Sequence, residues 1–266
     1  MFDDNREFWR LAKGMTITSF LRFMLEKTEL KEIRFDFPQR SISGYVWGEA
    51  PLMEQLLGLV EGSFYSHYTA LRIHGLTEQV PKTIFLNHEK PESSVMHTTA
   101  GPYEQSAIDS AFRSPPRVSK NEVTHGDVRL VLLQSAFQGG KGLEEGSVNF
   151  GGSRELKLRY TSIERTLIDI AVRPFYAGGV FEVADAFKRA RGDGVSVNRM
   201  SALLQDMMFG YPYHQAIGYY LERAGYRASS VELFARLPME RDFYLANAMG
   251  KTTYVPRWRL HVPEGF

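Results

Sequence analysis

The chain has 266 residues, of which 43% are hydrophobic and 24% charged, with a formal net charge of +1 and no cysteine. This is the composition of an ordinary globular protein large enough to bury roughly three quarters of its unfolded surface, with no need of a metal or disulfide staple. The absence of cysteine excludes disulfides and thiolate chemistry and fits a reducing cytoplasm. The charged start, MFDDNREFWRLAKG, is unlike a signal peptide, and no run of about 18 apolar residues predicts a membrane span.

From about Asp4 to Lys31 the spacing predicts one or two helices, with Phe20, Leu21, Met24 and Leu25 on one face and Thr18 or Ser19 as N-cap. Residues 33–37 alternate as a half-buried strand, and residues 44–47 return as its partner after a turn at 38–43. Residues 52–60 and 66–74 read as helices, the second capped by Ser66 and closed by Gly75. A strand is expected at 83–86, and the stretch 90–102, rich in Pro, Ser, Thr and Gly, reads as a loop. The run DVRLVLL at 127–133 predicts a central strand, residues 138–152 a glycine-rich loop around GGKG, and ELKLRY at 155–160 an alternating strand. A helix is expected from Ser162 to about Val172, stopped before Pro174. Others are expected at 180–190, 197–207, 213–224 and 231–237, with a strand-like ending at 254–262. Strands followed by a helical stretch make the fold class α+β: a short helix and hairpin, then a mixed sheet with packed helices.

Chemical signatures are few. The seven histidines are scattered, HExxH is missing, and His67 and His74, seven apart, suit capping or core hydrogen bonding better than a metal. GGKG lacks the remainder of a phosphate-binding loop, with Leu143 where a hydroxyl is required, and no G-x-S-x-G elbow occurs. The sharpest enzymatic alternative is a PD-(D/E)xK-like nuclease, with Asp127 opening one strand and Glu155 and Lys157 sharing a face of the next. The same alternation describes any strand with one wet face. Residues 223–261 carry seven Arg and Lys against three carboxylates, a local basic bias.

Three segments carry a resemblance. GSFYSHYTALRIHGLT at 62–77 looks like the SH-x-(T/S)-AL-x-x-HGLT element of the AbiEi family, with Ser66, His67, Thr69 and His74 at its polar positions. YTSIERTLIDIAVRP at 160–174, followed by Gly178 and Gly179, is similar to that family's S-x-ERTL-(I/L/V)-D segment and contributes Glu164, Arg165 and Asp169. RWRLHVP at 257–263, with Trp258, resembles the W-x-L-x-(V/Y)-P ending of the same antitoxins.

The resemblance implies the antitoxin of a type IV toxin–antitoxin, or abortive-infection, system. Its functional partner would be an AbiEii-like nucleotidyltransferase toxin, opposed without a stable complex. It also implies binding to the promoter DNA of its own operon as an autorepressor, no enzymatic activity and no cofactor. The implied organisation is a helix and hairpin at 1–48, then the antitoxin domain at 49–266. Residues 44–48 (GYVWG) resemble the end of the family's wing, but about 43 residues precede them, so a truncated winged helix is expected. If DNA is bound, Lys157 and Arg159 on one strand face, Arg154 beside them, and Arg257 and Arg259 near the C-terminus are the candidates for phosphate contact. The motif residues are open to two readings, an architectural role and direct contact with a partner. A protein-interaction module that neutralises a toxin without DNA is the remaining alternative.

Overall fold

In the computed structural model, which describes residues 4–94, 103–192 and 194–266, the fold is α+β with a mixed six-stranded sheet at its centre. Helix α1 (Ile17–Lys27) opens the described order, followed by the antiparallel hairpin β1 (Leu30–Asp36) and β2 (Ser41–Trp47). The N-cap of α1 is Thr16, earlier than the sequence suggested. Its hydroxyl accepts from Ser19 N while the Ser19 hydroxyl accepts from Thr16 N, a reciprocal capping box. The hairpin turns one face inward. Phe35, Phe37 and Ile42 are buried in a cluster with Leu56 of α2 (Leu52–Leu59), Tyr65, Leu86, Leu130, Leu132 and Leu158.

The central sheet runs β5 (Glu122–His125), β6 (Val128–Ser135), β4 (Thr83–Glu89), β3 (Phe64–Tyr65), β8 (Leu156–Thr161), β7 (Leu143–Val148). β4 and β6 are parallel, as are β3 and β8; the other pairings are antiparallel. Period-two alternation divides the sheet. Leu86, Leu130 and Leu132 face the hairpin and α2, while Phe85, Val131 and Leu133 face Tyr176 on the opposite side.

The helical part is formed by α3 (His67–Ile73), α4 (Gln105–Arg113), α5 (Ile163–Val172), α6 (Val180–Ala190), α7 (Val197–Asp206), α8 (Tyr213–Arg223) and α9 (Ala228–Ala235). A small sheet of β9 (Phe243–Tyr244), β10 (Thr252–Val255) and β11 (Leu260–Pro263) completes it. These elements bury the largest core, around Phe187, Tyr220, Phe234, Phe243 and Trp258. Helix α5 is its axis, with every residue from Glu164 to Ala171 buried. Helix α3 ends in a Schellman motif: Gly75 adopts φ +68, and the amides of Gly75 and Leu76 donate to the carbonyls of Arg72 and Leu71.

Several local expectations change. Within the expected glycine-rich loop at 138–152, residues 143–148 form β7, held by backbone pairing to β8 despite a weak apolar pattern. The expected final strand is two, β10 and β11, separated by a 3₁₀ turn at Pro256–Trp258 and by Arg259 in the left-handed region at φ +45. Helix α4 and strands β3, β5 and β9 have no counterpart in the sequence reading. Residues 95–102 of the expected loop lie outside the described residues.

The nuclease arrangement fails on topology. Asp127 lies in the β5–β6 turn, five residues before Leu132; Glu155 precedes β8, five residues before Tyr160. Leu132 and Tyr160 are level with one another through Leu86 and Tyr65, but β6 and β8 run in opposite directions with β4 and β3 between them. The two carboxylates therefore sit near opposite ends of the sheet, on the order of 30 Å apart at strand rise. They cannot hold one metal ion.

Candidate functional site

The first two motifs meet in space. Helix α3 packs on α5, and side chains from the two segments interlock where the parallel strands β4 and β6 end. Three of the bonds are architectural. The Thr69 hydroxyl accepts from the Phe85 amide at 2.8 Å, fixing α3 to β4. His74 Nε2 bonds the Thr161 carbonyl at 2.7 Å, and its ring lies edge-on to Tyr160. Ser162 caps α5, its hydroxyl accepting from Arg165 N.

From the two motifs His67, Arg165, Asp169 and Arg173 line a pocket of about 130 Å³, together with Asn87 of β4 and Ser135 of β6. Arg165 and Asp169, one turn apart on α5, form an ion pair at 2.8 Å with side chains only 3% and 9% exposed. Arg165 also donates to the Lys141 carbonyl at 2.8 Å, while Asp169 Oδ2 has no hydrogen-bond partner among the described residues. His67 sits in the left-handed region at φ +52, uncommon for a residue with a Cβ. Its Nδ1 bonds the Ser66 hydroxyl at 2.8 Å and its ring lies edge-on to Tyr176. Burial pushes the imidazole pKa down to about 4, with Asp169 opposing and the charges of Arg173 and Arg165 reinforcing the shift, so the ring is neutral at physiological pH. Asn87 Oδ1 and Ser135 Oγ, buried and without hydrogen-bond partners among the described residues, belong to lining residues as well. A neutral imidazole beside a buried Arg–Asp pair suits recognition by hydrogen bonding.

The GGKG loop belongs to this support and is a defined turn. Gly139, Gly140 and Gly142 all have positive φ, and Glu89 Oε2 accepts from the amides of Gln138 and Gly140. A carboxylate thus occupies amides that a phosphate would need. Gly142 carries the closest approach: a Cβ there would lie 2.8 Å from Arg165 Cβ and 2.9 Å from Leu203. Glu164 is buried, accepting from the Ser196 amide at 3.1 Å with Arg199 3.7 Å away, and so ties α5 to α7. Among the described residues no three metal-ligating side chains gather.

Trp258, from the third motif, is 0% exposed and donates through Nε1 to Glu222 at 2.6 Å; it packs against Gly218, where a Cβ would lie 2.1 Å from the ring. It belongs to the helical core and does not line the pocket.

The five expected phosphate contacts do not form one patch. Arg154, Lys157 and Arg159 lie at or on β8 in the central sheet, whereas Arg257 and Arg259 flank Trp258 beside the small sheet. Each arginine already meets a carboxylate: Arg154 with Glu54 at 2.9 Å, Arg159 with Glu145 at 3.7 Å, Arg257 with Glu222, and Arg259 with Asp242 at 2.9 Å. Lys157 is exposed and, among the described residues, carries no ion pair. Sequence reasoning missed Arg173, Asn87 and Ser135. Arg173 was within sight, inside the second motif, but nothing in the pattern of β4 and β6 marked Asn87 or Ser135 as pocket residues.

No family model matches the chain, and no curated protein matches it. Among solved structures, the Rv2827c protein of Mycobacterium tuberculosis shares the fold at a TM-score of 0.53 and 16% identity, over 94% of this chain and 80% of that one. The likeness is one of architecture. No described helix is long and apolar enough to cross a membrane.

Proposed function

We propose that this chain is the antitoxin of a type IV toxin–antitoxin system, acting in the cytoplasm against a nucleotidyltransferase-like toxin and binding the promoter DNA of its own operon. The observation that carries the reading is that two motifs of AbiEi type, about ninety residues apart in sequence, supply one pocket through His67, Arg165, Asp169 and Arg173. A buried ion pair beside a histidine in the left-handed region is more than the filling of a core requires. Inducible expression of the neighbouring reading frame, with and without this protein, tests the antitoxin role: growth arrest relieved by co-expression is the expected result. Promoter binding that weakens steeply with salt tests the DNA role separately.

A second reading, neutralisation of the toxin without DNA contact, is favoured by one observation. Four of the five basic residues expected to reach phosphates are already engaged by carboxylates. Copurification of this protein with the toxin, together with absence of promoter binding at low salt, would support it over the first.

A further inference from the structure

Beside the motif pocket, and sharing Leu133, Gln134 and Arg173 with it, lies a second cleft of about 630 Å³. Four segments build it: the β1–β2 turn with Gln39 and Arg40, the C-terminal ends of β4 and β6, the strand-free stretch 117–121, and the 3₁₀ turn after α5 with Tyr176. Arg40, Arg117 and Arg173 converge on it from three distant parts of the sequence, His88 also lines it, and none of its lining residues is acidic. Among the described residues these three arginines form no ion pair and no side-chain hydrogen bond, whereas many arginines elsewhere sit on a carboxylate. Like charges gathered around a concavity repel one another and are offset when an anion enters. Asn121 gives a second, independent indication. It lines the cleft, is 8% exposed, and its Oδ1 has no hydrogen-bond partner among the described residues. A buried side-chain amide left in this state is costly unless something in the cleft completes its bonding.

We propose that this cleft binds the polyphosphate group of a nucleotide-sized ligand. The volume lies within the range of small-molecule sites, and guanidinium groups match phosphate oxygens two at a time. A concave site lined by four separate segments suits a phosphorylated small molecule better than the continuous face of a duplex. Buried Asn121 offers a hydrogen-bonding group, with Tyr176 as an aromatic wall. This assignment does not rest on the antitoxin role, and of the residues in the three motifs it uses Arg173 and Tyr176's neighbouring turn only through Arg173 itself.

Isothermal titration of the full chain with inorganic tripolyphosphate, then with ATP, is the test. Saturable one-to-one binding of both is expected, weakened at least tenfold in Arg117→Gln and in Arg40→Gln and unchanged in Arg236→Gln, whose arginine pairs with Glu232 away from the cleft. Arg117 and Arg40 are exposed, so both variants should fold, and circular dichroism checks that they do. No binding by the wild type overturns the proposal. So does binding that falls equally in all three variants, which marks a diffuse charge effect. A promoter duplex that loses affinity in the cleft variants while tripolyphosphate fails to bind also overturns it, because the cleft would then be part of a nucleic-acid face.

Discussion

At the scale of residues, the decisive pair is Arg165 and Asp169. Both side chains are buried, and the arginine is held further by the Lys141 carbonyl. Removing one partner leaves a buried charge uncompensated, so Asp169→Leu is expected to destabilise the fold by about 3–5 kcal/mol, measured by chemical denaturation. Replacing Arg165 and Asp169 together by apolar residues should cost clearly less than the sum of the single changes. Full additivity would contradict coupling between them.

His67 and His214 give a second residue-scale expectation. Burial lowers both to about 4 from an ordinary 6.5, so the folded protein keeps them neutral while the unfolded chain takes up a proton on each. A histidine depressed by folding contributes stability that is fully present above about pH 6.5 and is lost as pH falls toward 4. The melting temperature should therefore drop between pH 7 and pH 5, and less so in His67→Asn, which tolerates the left-handed backbone but does not titrate. An unchanged slope in that variant would mean that the imidazole is not held neutral.

At the scale of elements, the fold read best where burial imposed a clean period. The hairpin, α2, α3, α5, α6, α7 and α8 were legible because their apolar residues recur at strand or helix spacing, and Gly75 marked the end of α3 correctly. Strand β7 was hidden because LEEGSV is an edge strand whose pairing comes from backbone bonds to β8, and its glycine and two carboxylates resemble a loop. The short strands β3 and β9 are two residues each, below what any period can reveal. The break between β10 and β11 depends on the left-handed conformation of Arg259, to which no local signal points. The candidate site was half visible: the motifs named His67, Arg165 and Asp169, but their meeting depends on the packing of α3 against α5. Ion pairs such as Arg154–Glu54, a hundred residues apart, were invisible for the same reason.

Helix α8 offers the test of close packing. Gly218 lets α8 approach the Trp258 ring, so Gly218→Ala forces either the ring or the helix to move. A loss of about 1–3 kcal/mol in denaturant unfolding is expected, larger than a glycine-to-alanine change in an exposed helix, which normally stabilises. A neutral or stabilising result would contradict the packing of Trp258 onto α8.

At the scale of the whole molecule, the N-terminal hairpin shares a buried cluster with the central sheet. Phe35 lies in the cluster beneath the central sheet and stands edge-on to His125 of β5 at 5.2 Å. Phe35→Ala should therefore destabilise the entire protein by about 3–5 kcal/mol and shift a single transition seen alike by far-ultraviolet circular dichroism and tryptophan fluorescence. Two separated transitions would mean that the hairpin folds as its own unit.

The central claim, that a pocket made by two antitoxin-like motifs serves an antitoxin, is most directly tested by growth. The neighbouring gene is induced in cells lacking this protein, in cells carrying the wild type, or in cells carrying the Arg165, Asp169 double apolar variant once that variant is shown to fold. The account predicts arrest in the first case, recovery in the second and impaired recovery in the third. A neighbouring gene that arrests growth and is not relieved by the wild-type protein would contradict it.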